Sequence, residues 1–88
     1  MEKYLRVGVI ANTHGVRGEV KVYPTTEDIK RFDYLKEAVI DTGKEKINVN
    51  VTGVKYFKNM VILKFEQYDN MDQVIPLKGM DLKRNSSG

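Results

Sequence analysis

The sequence contains no cysteine, and its 88 residues include a single histidine and only two prolines. Without cysteine, a disulfide framework and a thiolate metal site are both excluded, and one histidine cannot form a histidine-rich metal site. The chain also lacks the run of about 18 apolar residues that a membrane-spanning helix requires. Its first residues, Met1 to Tyr4, lack the basic and then apolar order of a signal peptide. We therefore expect a cytoplasmic protein with no metal and no cofactor.

Length and charge narrow the class of protein further. With 88 residues, the chain forms one domain at most, and so small a domain has a thin margin of stability. Fifteen lysines and arginines face twelve acidic residues, which gives a formal net charge of +3. This mild basic excess is compatible with an RNA or ribosome partner without requiring one.

Short alternating apolar patterns predict an all-β domain of six or seven strands. The clearest alternation runs from Ile47 to Val51, and Met60–Phe65 is apolar enough for a central strand. Glycines inside strand patterns, Gly8 and Gly53, predict bulges or close backbone approaches. Turn residues recur about every 8–12 residues, as in a barrel or a sandwich. A closed barrel would also leave no exposed strand edge.

Two short helical turns interrupt the strand patterns. The first is predicted over Thr25–Phe32, with Thr25 or Thr26 as its N-cap. The second is predicted over Asp69–Leu77, where Asp69 or Asn70 caps the helix and Pro76 ends it.

The segment from Val7 to Val22 is the part of the sequence best suited to a functional site. Two strand patterns flank a predicted seven-residue loop from Asn12 to Gly18, which contains the histidine and Arg17. Because strands hold both ends of such a loop, its polar side chains are presented in a set geometry. Gly15 and Gly18 are predicted to shape the turn by adopting positive φ.

Catalysis at His14 is the weakest interpretation of this loop. Acid–base chemistry needs a partner group and a pocket, and the serines of the chain all lie in its tail. The Gly15–Gly18 motif also resembles a phosphate-clamping GxxG loop, but that loop lies between helices in KH domains. A dinucleotide site would need a third glycine and a following helix. What remains is a hydrogen-bonded or recognition role for His14, and an Arg17 able to bind a phosphate or carboxylate.

A second hypothesis comes from Tyr56 and Phe57, which lie between Lys55 and Lys58. Aromatic residues interleaved with basic ones can stack on bases, so the chain could be an independent single-stranded RNA-binding β-barrel module. The simpler interpretation is that one aromatic residue belongs to the core and the lysines form a solvated face.

Several motifs together resemble the N-terminal domain of RimM, the bacterial ribosome maturation factor family. The block His14-Gly15-Val16-Arg17-Gly18-Glu19, which follows the Gly8–Ile10 strand and precedes Lys21-Val22, is the most specific of them. Weaker matches are Thr25-Thr26-Glu27 with Phe32, Val61-x-Leu63-x-Phe65 and Leu77-x-Gly79. The resemblance covers nearly the whole chain.

The resemblance implies a six-stranded antiparallel β-barrel of the reductase/isomerase/elongation-factor type. Residues 1–83 would form this barrel. Residues 84–88, which are polar and rich in serine and glycine, would begin a flexible linker to an absent second barrel of the PRC type.

The resemblance also implies a non-enzymatic function. The domain would bind the small ribosomal subunit and assist assembly of its head and processing of its rRNA, with His14, Arg17 and Lys21 as the candidate contact residues. The expected partners are the rRNA and ribosomal protein number nineteen of the head, the latter mainly through the missing domain. A monomer is expected, with no membrane partner and no small-molecule substrate.

Overall fold

Six antiparallel strands close into a barrel in the computed structural model, which describes residues 4–27 and 29–85. The strands are β1 (Tyr4–His14), β2 (Glu19–Pro24), β3 (Glu37–Asp41), β4 (Lys46–Phe57), β5 (Met60–Phe65) and β6 (Asp81–Asn85). Around the barrel they follow the order β1-β2-β5-β4-β3-β6. The predicted all-β, six-stranded antiparallel barrel is confirmed, and its closure pairs each strand on both sides.

Alternate side chains of each strand fill the barrel with an apolar core. The largest of them are fully buried: Phe65, Ile10, Ile40, Leu63 and Leu82. The helical segments add Phe32, Val74 and Leu77 to the same core. The core is therefore built from side chains that are distant in sequence and meet only when the barrel closes.

Bulges bend the strands at the two predicted glycines. The pairing register shifts between Arg6 and Gly8 on β1, and between Val51 and Gly53 on β4. A Cβ on Gly8 would lie 2.5 Å from Val22 Cγ1 and 2.9 Å from the carbonyl oxygen of Tyr23. Gly8 is therefore required by a close approach of β2, as the strand pattern predicted.

The helical segments differ in detail from the prediction. Instead of a helix over Thr25–Phe32, a 3-10 helix spans Ile29–Tyr34, and Asp28 lies outside the described residues. Thr25 does not cap it, because its N–H and hydroxyl donate to the carbonyl oxygens of Val7 and Arg6 on β1.

The second helical segment begins as predicted and continues past its proline. Helix α1 spans Met71–Val74, with Asn70 as N-cap and Gln73 completing a capping box. Pro76 was predicted to end the helix, but it lies in the first turn of a 3-10 helix, Ile75–Leu77, that continues it. A proline fits there because no backbone N–H is required in a first turn.

The predicted flexible tail begins too early. Arg84 and Asn85 belong to β6, where they pair with Leu5 and Tyr4 of β1. Backbone hydrogen bonds to β1 hold these polar residues, so their composition did not reveal the strand. The rest of the predicted tail, residues 86–88, lies outside the described part of the chain.

The hydrogen bonds of Asp41, at the end of β3, to Lys83 on β6 and to the Gly43 backbone make part of the folding stability depend on pH. Lys83 Nζ donates a 2.7 Å hydrogen bond to Asp41 Oδ2, and the Gly43 N–H donates to Oδ1 at 2.8 Å. These bonds lower the pKa of Asp41 below its ordinary value of 3.8. The stability they contribute is therefore complete above that value and is lost as the pH falls through the folded-state pKa.

We expect Asp41→Asn to lower the melting temperature at neutral pH, because the amide loses the charge-assisted bond to Lys83. The gap to the wild type should begin to narrow as the pH falls below the ordinary value of 3.8 and should close once the pH is below the lowered pKa of Asp41 in the folded wild type. Thermal unfolding followed by circular dichroism at a series of pH values measures this gap. Lys83→Met should show the same convergence, and a gap that stays constant into acid would contradict the assignment.

Candidate functional site

The site begins with a tight turn between β1 and β2. His14 and Glu19 form the last pair of the two strands, so the turn contains only residues 15–18. It is shorter than the predicted seven-residue loop because Asn12, Thr13 and His14 all pair with β2. The two glycines of the turn have positive φ angles of 70° and 90°, a conformation that side chains other than glycine rarely adopt.

This turn is fastened to the segment in front of α1. Gly18 is buried, and a Cβ at this position would lie 2.9 Å from the carbonyl oxygen of Tyr68 and 3.1 Å from the nitrogen of Asn70. The backbone N–H of Met71, at the start of α1, donates to the carbonyl oxygen of Val16 at 3.1 Å. A free N–H at a helix start needs such a partner, so the turn and α1 hold each other in place.

Lys64 of β5 stabilises the segment that contacts this turn. Its ammonium group donates to the carbonyl oxygens of Phe65, at 2.7 Å, and Tyr68. The Tyr68 ring also packs edge-to-face on the Phe65 ring, with 6.3 Å between centroids. Sequence reasoning gave Lys64 no role, because its partners are carbonyl oxygens that carry no signal in the sequence.

Outside the barrel, strands β1, β2, β5 and β4 present two rows of outward-facing residues, most of them polar. Paired residues of neighbouring antiparallel strands lie on the same face, and the register defines both rows. The first row is His14, Glu19, Lys64 and Gly53; the second is Asn12, Lys21, Ile62 and Lys55. We call this surface the lysine face.

The three predicted contact residues lie along one side of the barrel. His14 and Lys21 are half-buried members of adjacent rows, and Arg17 is exposed in the turn beyond them. Glu19, which the sequence analysis included in the motif without a role, forms an ion pair of 3.5 Å with Lys55. Because the Lys55 side chain is 69% exposed, this pair adds little to stability and leaves the lysine accessible.

Beyond the second row, the face ends in exposed aromatic residues. Tyr23 is two residues after Lys21 on β2, and Phe57 is two residues after Lys55 on β4; they are 63% and 51% exposed. Tyr56, which the sequence pattern predicted to stack on bases together with Phe57, points to the opposite side of β4. Its hydroxyl donates to Asp33 Oδ1 at 2.6 Å.

The side chains of this surface are suited to binding. The lysine face and its turn combine cations, an imidazole and aromatic rings. Within residues 4–27 and 29–85, no group of three histidine, cysteine or acidic side chains could hold a metal ion. In the same residues no helix is long and apolar enough to cross a membrane.

Comparison of the sequence with known proteins identifies one family. The family profile of the RimM N-terminal domain matches residues 5–87. The ribosome maturation factor RimM of Clostridium perfringens (strain ATCC 13124) is 56% identical over 78 residues, which cover 89% of this chain and 45% of that protein. RimM of Clostridium botulinum (strain ATCC 19397) is 45% identical over 89 residues, covering 99% of this chain and 52% of the relative.

A solved structure shares the fold. The crystal structure of the 16S ribosomal RNA processing protein RimM from Pseudomonas aeruginosa superimposes with a TM-score of 0.87 and 19% identity, covering 97% of this chain and 52% of that one. The barrel and the profile match thus define an N-terminal barrel domain. The chain belongs to the RimM family. It spans about half the length of the curated relatives it matches.

Proposed function

We propose that this chain is the non-enzymatic N-terminal domain of a cytoplasmic ribosome maturation factor. In this proposal it binds the small ribosomal subunit, assists assembly of the subunit head and promotes processing of 16S rRNA. The observation that carries the proposal is the turn of residues 15–18, which is fastened to α1 and presents Arg17 beside the lysine face. Membership of the RimM family supports the choice of partner.

The contact residues act through a surface that is already in place before binding. Met71 N–H and the close approach at Gly18 hold the turn, so the backbone that carries Arg17 needs no ordering on binding and only the entropy of its side chain is lost. A guanidinium can bind a phosphate through two hydrogen bonds. Lys21 and His14 then extend the contact along β2 and β1 as hydrogen-bond donors or cations.

The whole protein would make a second contact. We propose that a PRC-type barrel follows this domain after a linker and makes most of the contact with ribosomal protein number nineteen of the subunit head. The protein would act as a monomer, with the barrel described here facing rRNA.

Arg17→Ala combined with His14→Ala is expected to impair subunit maturation. Losing charge-assisted hydrogen bonds to phosphate should weaken subunit binding roughly tenfold or more. The measurement is complementation of a bacterial strain that lacks its RimM, with a gene in which this chain forms the first half of the protein. Unprocessed 16S rRNA precursor and free small subunits should accumulate.

The matched control is Lys44→Ala, which removes an exposed cation from the turn between β3 and β4, outside the lysine face. This variant should complement as well as the wild type. Full complementation by the double variant at normal protein levels would refute the role of the turn. A similar defect in both variants would show that net charge, not this surface, is what matters.

A further inference from the structure

We propose that Tyr23 and Phe57 form a platform on which unpaired RNA bases stack, with Lys21, Lys55 and Lys58 binding the adjoining phosphates. This inference rests on the proposed function and names the ligand of the lysine face: single-stranded nucleotides rather than a duplex or a protein. We call the row of Tyr23, Met60 and Phe57 the aromatic platform.

The strand register places the platform residues side by side. Val22 pairs with Val61, so Tyr23 and Met60, the next residue of β2 and the preceding residue of β5, lie next to each other. Met60 in turn pairs with Phe57 on β4. Neighbouring strands are about 4.8 Å apart, so the backbones that carry the two rings are about 10 Å apart. Each ring can receive one base, with Met60 between them.

The two rings are exposed although burial would stabilise the domain. Tyr23 is 63% and Phe57 51% exposed, whereas Phe65 on the inner side of β5 is fully buried. The ammonium group of Lys58 lies over the Phe57 ring, with Nζ 5.3 Å from its centroid. An exposed cation–π contact of this kind is weak, so a base can replace the ammonium group on the ring.

The turn between β4 and β5 explains why Lys58 lies there. Lys58 and Asn59 have φ angles of 47° and 66°, which are typical of a tight two-residue hairpin turn. Such a turn places Lys58 directly beside the end of the platform. A phosphate that follows a base stacked on Phe57 would meet this cation.

The row next to the platform is also basic. Lys21 and Lys55 lie on either side of Ile62, an outward-facing residue that is only 4% exposed. The apolar stems of lysines can cover such a neighbour while their ammonium groups stay in water. Glu19 is the single acid of the two rows, and it is already paired with Lys55.

This combination favours a nucleic acid over a protein. The cores of protein–protein interfaces are depleted in lysine, whereas exposed rings among cations are what single-stranded nucleic acids bind. Sheet surfaces with exposed aromatic residues bind unpaired RNA bases in this way in RRM domains. Duplex RNA keeps its bases stacked inside the helix, so it cannot use the rings.

The test uses this 88-residue chain, whose closed barrel contains its own core, and a short fluorescein-labelled single-stranded RNA. Fluorescence anisotropy at low salt should show binding, and Tyr23→Ala and Phe57→Ala should each weaken it roughly tenfold to a hundredfold. Phe57→Trp should retain binding. The control is Tyr34→Ala, which removes a tyrosine that is 83% exposed on the 3-10 helix Ile29–Tyr34 and should leave the affinity unchanged.

Salt dependence separates stacking from charge. Lys21→Ala should reduce the slope of log affinity against log salt by about 0.7, the value for one phosphate contact on a single strand, whereas the two aromatic variants should leave the slope unchanged. Absence of RNA binding by the wild type, equal binding of a duplex, or wild-type affinity in Tyr23→Ala and Phe57→Ala would each overturn the platform.

The failure of this inference is distinguishable from the failure of the proposed function. If the platform variants bind RNA and mature subunits normally while Arg17→Ala with His14→Ala does not, the platform is wrong and the proposed function stands. If this face binds a ribosomal protein and no RNA, the platform is again wrong. If the variant with Arg17→Ala and His14→Ala matures subunits normally, and RNA binding still requires Tyr23, the platform is retained and the contact role of Arg17 and His14 is refuted.

Discussion

Phe65→Ala is expected to lower the free energy of unfolding by about 3–5 kcal/mol, the usual cost of removing a buried aromatic side chain. Phe65 is fully buried in the core, and its ring is the one on which Tyr68 packs edge-to-face. An 88-residue domain has a total stability of roughly 4–13 kcal/mol. The substitution therefore removes a large part of the stability and can unfold the domain at ordinary temperature.

Urea unfolding followed by circular dichroism measures this effect, and the chain provides its own control. Phe57→Ala makes the same change at a ring that is half exposed, so its cost should be smaller by several kcal/mol, since little apolar area returns to water. Equal losses of stability in the two variants would contradict the placement of Phe65 in the core and Phe57 on the outer face. The same control shows that the loss of RNA binding expected for Phe57→Ala does not come from unfolding.

Gly18→Ala is the second substitution with a large expected effect, and it acts on the turn directly. An alanine would have to adopt a φ of 90°, at a cost of about 1–2 kcal/mol. Its Cβ would also lie 2.9 Å from the carbonyl oxygen of Tyr68, and overpacking of this kind costs about 1–3 kcal/mol. We expect a loss of about 2–5 kcal/mol, and a melting temperature lower by at least about 8 °C.

Gly15→Ala separates the two causes. Gly15 has a φ of 70°, but a Cβ there would meet nothing within 4 Å, so only the conformational cost of about 1–2 kcal/mol should appear. Differential scanning calorimetry of both variants gives the comparison. If Gly15→Ala were as destabilising as Gly18→Ala, the contact between the turn and the segment before α1 would make no contribution.

The expected losses link the stability of the barrel to its binding surface. Phe65 supports Tyr68, and the carbonyl oxygen of Tyr68 lies against Gly18. Lys64 donates to that same carbonyl oxygen. A change in this part of the core therefore loosens the turn that carries Arg17. Variants designed to test binding should leave this contact intact, as Arg17→Ala does.

Local signals in the sequence were sufficient for most of the secondary structure. Alternation with a period of two depends only on neighbouring residues, so it predicted the strands, and the bulge predicted at Gly53 lies within the single strand β4. The cap of α1 was also predictable, because Asn70 bonds backbone within its own first turn. The predictions that failed concern strand ends and helix bounds. Arg84 and His14 are held by pairing with other strands, and Thr25 bonds to β1 instead of capping a helix, which local composition does not record.

The sequence by itself determined the all-β class and the positions of the bulge glycines, and it is the source of the prediction that three polar residues make the contact. Only the tertiary structure decided which side chains meet. Strand order places β5 between β2 and β4, so Phe57 shares a face with Tyr23 rather than with its neighbour Tyr56, and Gly18 touches a segment far away in the chain. The physical reason is that closing a barrel brings together residues that are distant in sequence, and the register of that closure is set by the whole core.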